Sequence, residues 1–282
     1  MRYELLAIDV DGTLIGADQL VTADVKAAVA AAGRAGLRVC LATGRSLAET
    51  LPVWRQLPLS PPYQPLVVVG GAMVCEPDLG RTLFQRTVPR QAAFDFADEL
   101  ARENLPAFAF VDAWRHGVDY YCAEHGQAEL AQREWFSKMR VKVRRVSRLR
   151  DDPLAPEPAR ISTVADPGRA CLLADRLAEQ FRGVLHVHAI VAPNYGVTVV
   201  EAFSVQADKF KAVTYVAQSH VIPPARMAAV GDDINDLSMI RGAGLGVTFP
   251  HAPPAVREAA DHVAKDGLAA FIHQLVDGRF DE

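Results

Sequence analysis

Ala7-Ile8-Asp9-Val10-Asp11-Gly12-Thr13-Leu14 is the stretch from which the rest of the chain can be read. Residues Leu5 to Val10 are nearly all apolar, the pattern of a short buried strand. Two carboxylates interrupt its end, and Gly12 then supplies a turn-permissive position. An apolar strand cannot bury an unpaired carboxylate cheaply. Asp9 and Asp11 are therefore expected where the strand opens into a loop. There they project into a cleft and require a cation or a cage of hydrogen bonds. A bare D-x-D-G is a common solvated turn. The longer D-x-D-G-T-L recurs by chance only about once in a few million windows at average residue usage.

Size and composition narrow the possibilities. The chain has 282 residues, 50% of them hydrophobic, enough for a sizeable core in one or two domains. A net charge of −4 gives no electrostatic case for nucleic acid or for an anionic membrane surface. No stretch approaches the roughly eighteen apolar residues of a membrane span. The apolar strand begins almost at Met1, leaving no room for a leader, so a cytoplasmic location is expected. Cys40, Cys75, Cys122 and Cys171 are far apart, with no C-x-x-C, and read as reduced core residues.

Downstream, Val21 to Ala35 is an Ala-rich amphipathic segment with Thr22 as N-cap and Gly36 as C-cap. Leu37 to Ala42 is a second apolar run, closed by Thr43-Gly44-Arg45. Strand, helix and strand within about 45 residues make a βαβ unit of a parallel sheet. A hydroxyl, a glycine and a helix start at a strand's carboxyl end form a cradle for an anion. After the proline-rich break from Pro58 to Pro65, Leu66 to Val74 reads as strand, turn (Gly70-Gly71) and hairpin.

From about Arg81 the texture changes. Strands are expected over 82–88, 107–111, 118–122, 141–146, 160–164 and 184–190. Helices are expected over 90–104, with Phe94, Ala97, Leu100 and Ala101 on one face, and over 168–182, with Leu173, Ala174, Leu177 and Phe181. A weaker helix reads over 126–135. The basic run Lys138 to Arg145 reads as a solvated strand face. Trp114, His116, Tyr120, Tyr121 and Asn194 are polar-aromatic residues near strand ends or loops. The core pattern resumes at about Gly196 with a strand over 198–203. Lys209 stands before a helix over 210–218, with Lys211 two residues on. Ala228-Ala229-Val230 then runs into Gly231-Asp232-Asp233-Ile234-Asn235-Asp236. Three carboxylates and an amide in five residues repel one another without a cation, and a hard oxygen-ligated ion such as Mg²⁺ suits them.

The four motifs, in this order and with a large insert before Lys209, resemble those of the haloacid dehalogenase superfamily, in its Cof-type branch with a type C2 α/β cap. The resemblance implies an α/β fold: a Rossmann-like, doubly wound parallel sheet over 1–80 and 197–282, with an inserted α+β cap over 81–196 that selects substrate. It implies a Mg²⁺-dependent phosphatase of small phosphorylated metabolites, sugar phosphates above all, working through an aspartyl-phosphate. Asp9 would be the nucleophile and Asp11 the general acid/base. Thr43 and Lys209 would cradle the phosphoryl group, with Gly12, Gly44, Arg45 and Asn235 around it. The metal would rest on Asp9, Asp11 and Asp232, with Asp233, Asn235 and Asp236 in support. Three positions depart from the family pattern: Gly70 stands where Asn is usual, Phe210 where Gly follows the lysine, and His251 in a loop that often reads Met-Gly-Asn-Ala. A phosphomutase on the same scaffold and a non-catalytic receiver phosphorylated on Asp9 are the alternatives. Neither a nucleic acid nor a membrane partner is expected, and the chain would be a monomer or a homodimer.

Overall fold

The computed structural model describes residues 2–123, 141–192 and 197–281. The chain forms two compact units, Met1–Phe84 with Asp208–Glu282 and the intervening Gln85–Ala207.

The first unit opens with β1 (Leu5–Ile8), α1 (Ala23–Arg34), β2 (Arg38–Leu41) and α2 (Leu47–Trp54). All four β1 residues are buried, as a strand covered on both faces requires. Thr22 caps α1 by accepting from Val25 N–H, and a Ser46–Glu49 capping box starts α2. β3 (Leu66–Val68) and β4 (Met73–Cys75) form an antiparallel hairpin around a 3₁₀ turn at Val69–Gly71, and β5 (Thr82–Gln85) joins them.

The second unit contains α3 (Arg90–Arg102), β6 (Ala107–Phe110), α4 (Ala113–His116), β7 (Tyr120–Ala123), β8 (Val143–Val146), β9 (Arg160–Ala165), α5 (Pro167–Gln180), β10 (Leu185–Ala192) and β11 (Val197–Ser204). Its six strands lie in the order β10-β11-β9-β6-β7-β8. Every pairing is antiparallel except β7 with β8. One face is the core: Phe96 and Leu100 of α3 and Leu173 and Leu177 of α5 pack with Ala107, Ala109, Ile161, Val200 and Ala202. The helix phase differs from the expected one. Phe96 is buried completely, while Phe94 is only partly so and lies under Arg90 and Arg150. The helix reading over 126–135 and Asn194 fall outside the described residues.

The chain then returns to the first unit through α6 (Lys209–Gln218), β12 (Met227–Val230), α7 (Leu237–Gly242), β13 (Leu245–Thr248), α8 (Pro254–Ala259), β14 (His262–Val263) and α9 (Gly267–Val276). Its sheet is wholly parallel in the order β14-β13-β12-β1-β2, and a parallel bridge from Ala42 to Val67 carries it on toward β3. Leu5, Ala7, Cys40 and Ala229 pack with Ala212, Val213 and Val216 of α6, while the alternate β1 residues Leu6 and Ile8 are equally buried. The fold is α/β, with a parallel core sheet and an additional α+β unit.

Two expectations need correction. The strand over 198–203 was expected in the core, but β11 pairs along its length with β10 and β9, so it belongs to the second unit. Cys171 was expected in a core; it is exposed on α5, while Cys40, Cys75 and Cys122 are buried. The arginines of the basic run that fall on β8, Arg144 and Arg145, are exposed, as a solvated strand face requires.

On the sheet face away from α3 and α5, a buried charge pair crosses the strands. Arg160 Nη1 lies 3.1 Å from Glu201 Oε2, and Arg160 Nη2 donates to the Tyr120 hydroxyl at 3.2 Å. Glu201 Oε1 meets His188 Nε2 at 3.0 Å. Burial works against the Glu201 carboxylate, but Arg160 and His188 outweigh it and hold its pKa below the ordinary value. Its contribution to stability is thus full above about pH 4.3 and is lost as pH falls through the lower folded value. Glu201→Gln removes the negative charge that Glu201 sets against Arg160. We expect a loss of about 3–5 kcal/mol at pH 7 by urea denaturation, with a smaller difference from the native chain at pH 3; an equal difference at both pH values contradicts the assignment.

Candidate active site

Both decisive motifs sit where parallel strands end. β1 hands over to Asp9, whose N–H donates to Val230 O of the neighbouring β12 at 3.0 Å. β12 hands over to Gly231 and Asp232. Adjacent strands thus deliver two carboxylates from opposite ends of the sequence to one place, at the carboxyl edge of an open parallel sheet.

Carboxylate oxygens of Asp9, Asp232 and Asp236 all lie within 4.8 Å of one another. Into this group reaches Lys209, the first residue of α6, which is 1% exposed. Its Nζ donates to Asp9 Oδ1 and Asp236 Oδ1, both at 2.7 Å, and to Asn235 Oδ1 at 3.4 Å. Burial opposes the ammonium, yet Asp236 and Asp9 overcome it and raise its pKa above the ordinary lysine value. Burial likewise pushes the Asp9 carboxyl well above the carboxylate range; Lys209 opposes this, and Asp236 and Asp232 add to it. Lys211, the other lysine of the motif, is exposed.

Asp236 is fully buried and uses both oxygens. While Oδ1 binds Lys209, Oδ2 accepts from the N–H groups of Asp232 and Asp233 at 3.0 and 3.1 Å. It shapes the loop and aims the lysine. Asp233 is exposed and turned to its own 3₁₀ turn, where Oδ1 accepts from Ile234 N–H. Asp232 Oδ1 accepts from the Thr13 hydroxyl at 2.8 Å.

The donor set fits a hard dication. Three carboxylates against one ammonium leave two negative charges, the charge of one such ion. With both Asp236 oxygens engaged, Asp9 and Asp232 are the pair open to it. The backbone at Gly12, with φ of +81°, approaches so closely that a Cβ there would lie 2.3 Å from Asp232 Oδ2. That proximity sets the Gly12 backbone against the Asp232 carboxylate.

Asp11 is placed differently from Asp9. Its carboxylate is exposed and lies outside the cluster, in a two-point pair with Arg45: Nε to Oδ2 at 2.8 Å and Nη2 to Oδ1 at 2.5 Å. Arg45 Nη2 also donates to Gln19 Oε1. Arg45, read from sequence as an anion contact, thus has its guanidinium on Asp11. Thr43 is fully buried, and its Oγ1 accepts from Arg45 N–H at 3.1 Å. Gly44 is half-buried, with open space where a side chain would stand.

The departures from the family pattern have physical accounts. Phe210 fills the space above Gly242, where a Cβ would meet its ring at 2.5 Å. The Val69–Gly71 turn braces the site through its backbone: Val69 N–H donates to Arg45 O at 2.8 Å and Gly70 N–H to Thr43 O at 3.0 Å. Val69 adopts φ of +54°, rare for a β-branched residue. Sequence reading gave no role to Thr13, Gln19 or Val69. The D-G-T run was the only available signal for Thr13; the other two depend on contacts that no local pattern announces.

A profile of the haloacid dehalogenase-like hydrolases matches residues 6–272. The chain belongs to that family. The 5-amino-6-(5-phospho-D-ribitylamino)uracil phosphatase YwtE of Bacillus subtilis is 25% identical over 98% of this chain and 99% of its own. The phosphatase YwpJ of the same organism is 23% identical over 97% and 100%. Among solved structures, a haloacid dehalogenase-like hydrolase from Bacteroides thetaiotaomicron matches with a TM-score of 0.75 at 22% identity, covering 97% of this chain and 99% of that one. Among the described residues of this hydrolase, no helix is long and apolar enough to cross a membrane.

Gly71, at φ of +89°, packs so tightly that a Cβ would lie 2.3 Å from the Asp208 carbonyl carbon and 2.6 Å from Lys209 N. Gly71→Ala should destabilise the protein by at least about 1–2 kcal/mol in urea denaturation. Gly44→Ala should change stability by less than about 0.5 kcal/mol. Equal effects would mean that the turn does not brace Lys209.

Proposed function

We propose that this hydrolase is a Mg²⁺-dependent phosphatase that removes the phosphoryl group from a primary phosphate ester on a small polyhydroxylated metabolite. The observation that carries the reading is the buried Lys209 ammonium, 2.7 Å from both Asp9 and Asp236 and beside Asp232. Such a cluster has little structural purpose and suits a site that meets a dianion.

Asp9, Asp232 and the Asp11 backbone carbonyl would hold Mg²⁺, which would supply positive charge against the phosphoryl oxygens. Asp9 attacks phosphorus in line; the P–O bond to the leaving alcohol breaks and an aspartyl-phosphate forms. Lys209 and the Thr43 hydroxyl hold the equatorial oxygens, where charge accumulates. Once out of the Arg45 fork and protonated from solvent, Asp11 gives that proton to the departing alkoxide. It then takes one from the water that cleaves the aspartyl-phosphate and releases inorganic phosphate. Arg45 holds Asp11 at the rim of the site and keeps it off the cation. Gly12, Gly44 and Asn235 line the same strand ends, and Asp233 and Asp236 hold the loop that carries Asp232. The inserted unit, over about 81–196 by sequence and 85–207 by compactness, serves as the selector of the leaving group.

The substrate class draws support from the relatives. Three Bacillus subtilis relatives at 24–25% identity are named for a 5-phospho-ribityl substrate, and a fold neighbour, BT4131, is named a sugar phosphatase. A phosphate ester on a polyhydroxylated carbon chain is common to both names.

The test is phosphate release from p-nitrophenyl phosphate, ribose 5-phosphate and ribitol 5-phosphate, with and without EDTA. Turnover should require Mg²⁺ and vanish with chelator, and phosphate should appear without an isomeric sugar phosphate. Asp9→Asn should lower kcat by at least about 10⁴-fold with its thermal transition retained, and Asp11→Asn by about 10²–10⁴-fold. Appreciable Mg²⁺-dependent turnover by Asp9→Asn would refute the nucleophile, and isomer formation in place of phosphate would make the enzyme a mutase.

A further inference from the structure

The six-stranded sheet of the second unit ends in two unlike edges, β10 and β8. β8 is four residues long and carries the exposed Arg144 and Arg145, charges of the kind that keep a strand edge from taking up another chain. β10 is eight residues long, Leu185-His186-Val187-His188-Ala189-Ile190-Val191-Ala192, with no Asp, Glu, Lys, Arg or Pro. It pairs with β11 at every residue, without a bulge. It thus lacks the shortness, charge, proline and bulge that guard such edges.

Val205 N–H donates to Val184 O at 3.1 Å, in the register that sets Leu185 against Ser204. That fixes the phase of the ladder. His186, His188 and Ile190 exchange hydrogen bonds with β11, while Val187, Ala189 and Val191 point their N–H and C=O groups away from it. Among the described residues no hydrogen bond reaches those outward groups. A second β10, laid antiparallel about a two-fold axis at Ala189, engages all of them: Val187 pairs with the partner's Val191, and Ala189 with the partner's Ala189. His188 then meets the partner's Ile190 rather than its own copy, and no two charges of like sign oppose one another. The Val187–Val191 pairs are of the β-branched kind that stabilises neighbouring strands, and they cover Val191, which is 72% exposed.

The helix layer permits the approach. α5 lies over β10 and β11, and its Arg169, Arg176 and Gln180 turn to Glu99 and Glu103 at α3. Cys171 and Ala178, about half a helical turn round, therefore face the β10 edge, and both are small. We propose that this edge is a dimerisation surface on which a second copy of the chain pairs β10 with β10. A standard interface takes about 800 Å² from each partner. A strand about 26 Å long with one flanking helix lies at the low end of that class, so a micromolar dimer is expected.

The test is sedimentation equilibrium of the full-length protein across the micromolar range, where a monomer–dimer equilibrium should appear. Val191→Lys places a charge on the exposed edge. It should keep the thermal transition and weaken dimerisation about tenfold or more. Register is tested separately by Ala189→Cys in a Cys171→Ser background. Directly paired Cα atoms of this kind lie about 5.5 Å apart, within disulfide reach, so mild oxidation should yield a covalent dimer on a non-reducing gel. Cys171→Ser alone should give none, because Cys40, Cys75 and Cys122 are buried. A chain that stays monomeric throughout, a dimer that Val191→Lys leaves unchanged, or a dimer in which Ala189→Cys forms no disulfide would overturn the proposal.

Discussion

Three carboxylates that cannot stand together unaided set the terms for this molecule. Asp9, Asp232 and Asp236 lie within 4.8 Å of one another, and Asp9 and Asp236 are almost wholly removed from water. Like charges at such separations in a low-dielectric setting raise one another's pKa and destabilise the fold unless a cation intervenes. Lys209 supplies part of that charge from the first turn of α6. Much of the surrounding architecture serves to put the lysine there: the tight Gly71 turn against Asp208 and Lys209, the Phe210–Gly242 contact, and the Asp236 oxygen on two backbone N–H groups. Two negative charges remain, and a dication is the simplest complement.

The parallel sheet was legible in the sequence because its strands are apolar on both faces and end in chemistry. Leu5 to Ile8 and Ala228 to Val230 are uninterrupted hydrophobic runs stopped by acids, and sequence alone thus points to both the strand and its carboxyl end. The alternation of β1 and β2 with an Ala-rich helix made the parallel connection legible as well. The 198–203 strand shows the limit of that logic. Thr198-Val199-Val200-Glu201-Ala202-Phe203 is as apolar as a core strand, and only its pairing with β9 and β10 tells which sheet it joins. The helix over 90–102 shows another limit. Either Phe94 or Phe96 could head its apolar face; Ala93, Ala97 and Leu100 decide for Phe96 by packing with the sheet.

Within the site, the residues carried by motifs could be read in advance, and their pairings could not. Arg45 and Asp11 are 34 residues apart, and no spacing rule pairs them; the 2.5–2.8 Å fork appears only when β1 and β2 lie side by side. The pair gives two aspartates two residues apart different settings. Asp9 is buried, on the lysine and beside the other acids, while Asp11 is exposed and on a guanidinium. His251 stood out in the sequence as a departure in its loop, but its 3.6 Å approach to Asp232 could not be read there.

The proposed chemistry turns on the buried Asp9 carboxylate itself accepting the phosphoryl group. Acid quenching during turnover, followed by borohydride reduction and peptide mass spectrometry, tests it directly. Reduction of an aspartyl-phosphate converts that aspartate to homoserine. Homoserine is expected at position 9 alone, dependent on both substrate and Mg²⁺. Homoserine at position 11 or 232, or unmodified aspartate throughout under conditions of active turnover, would contradict it.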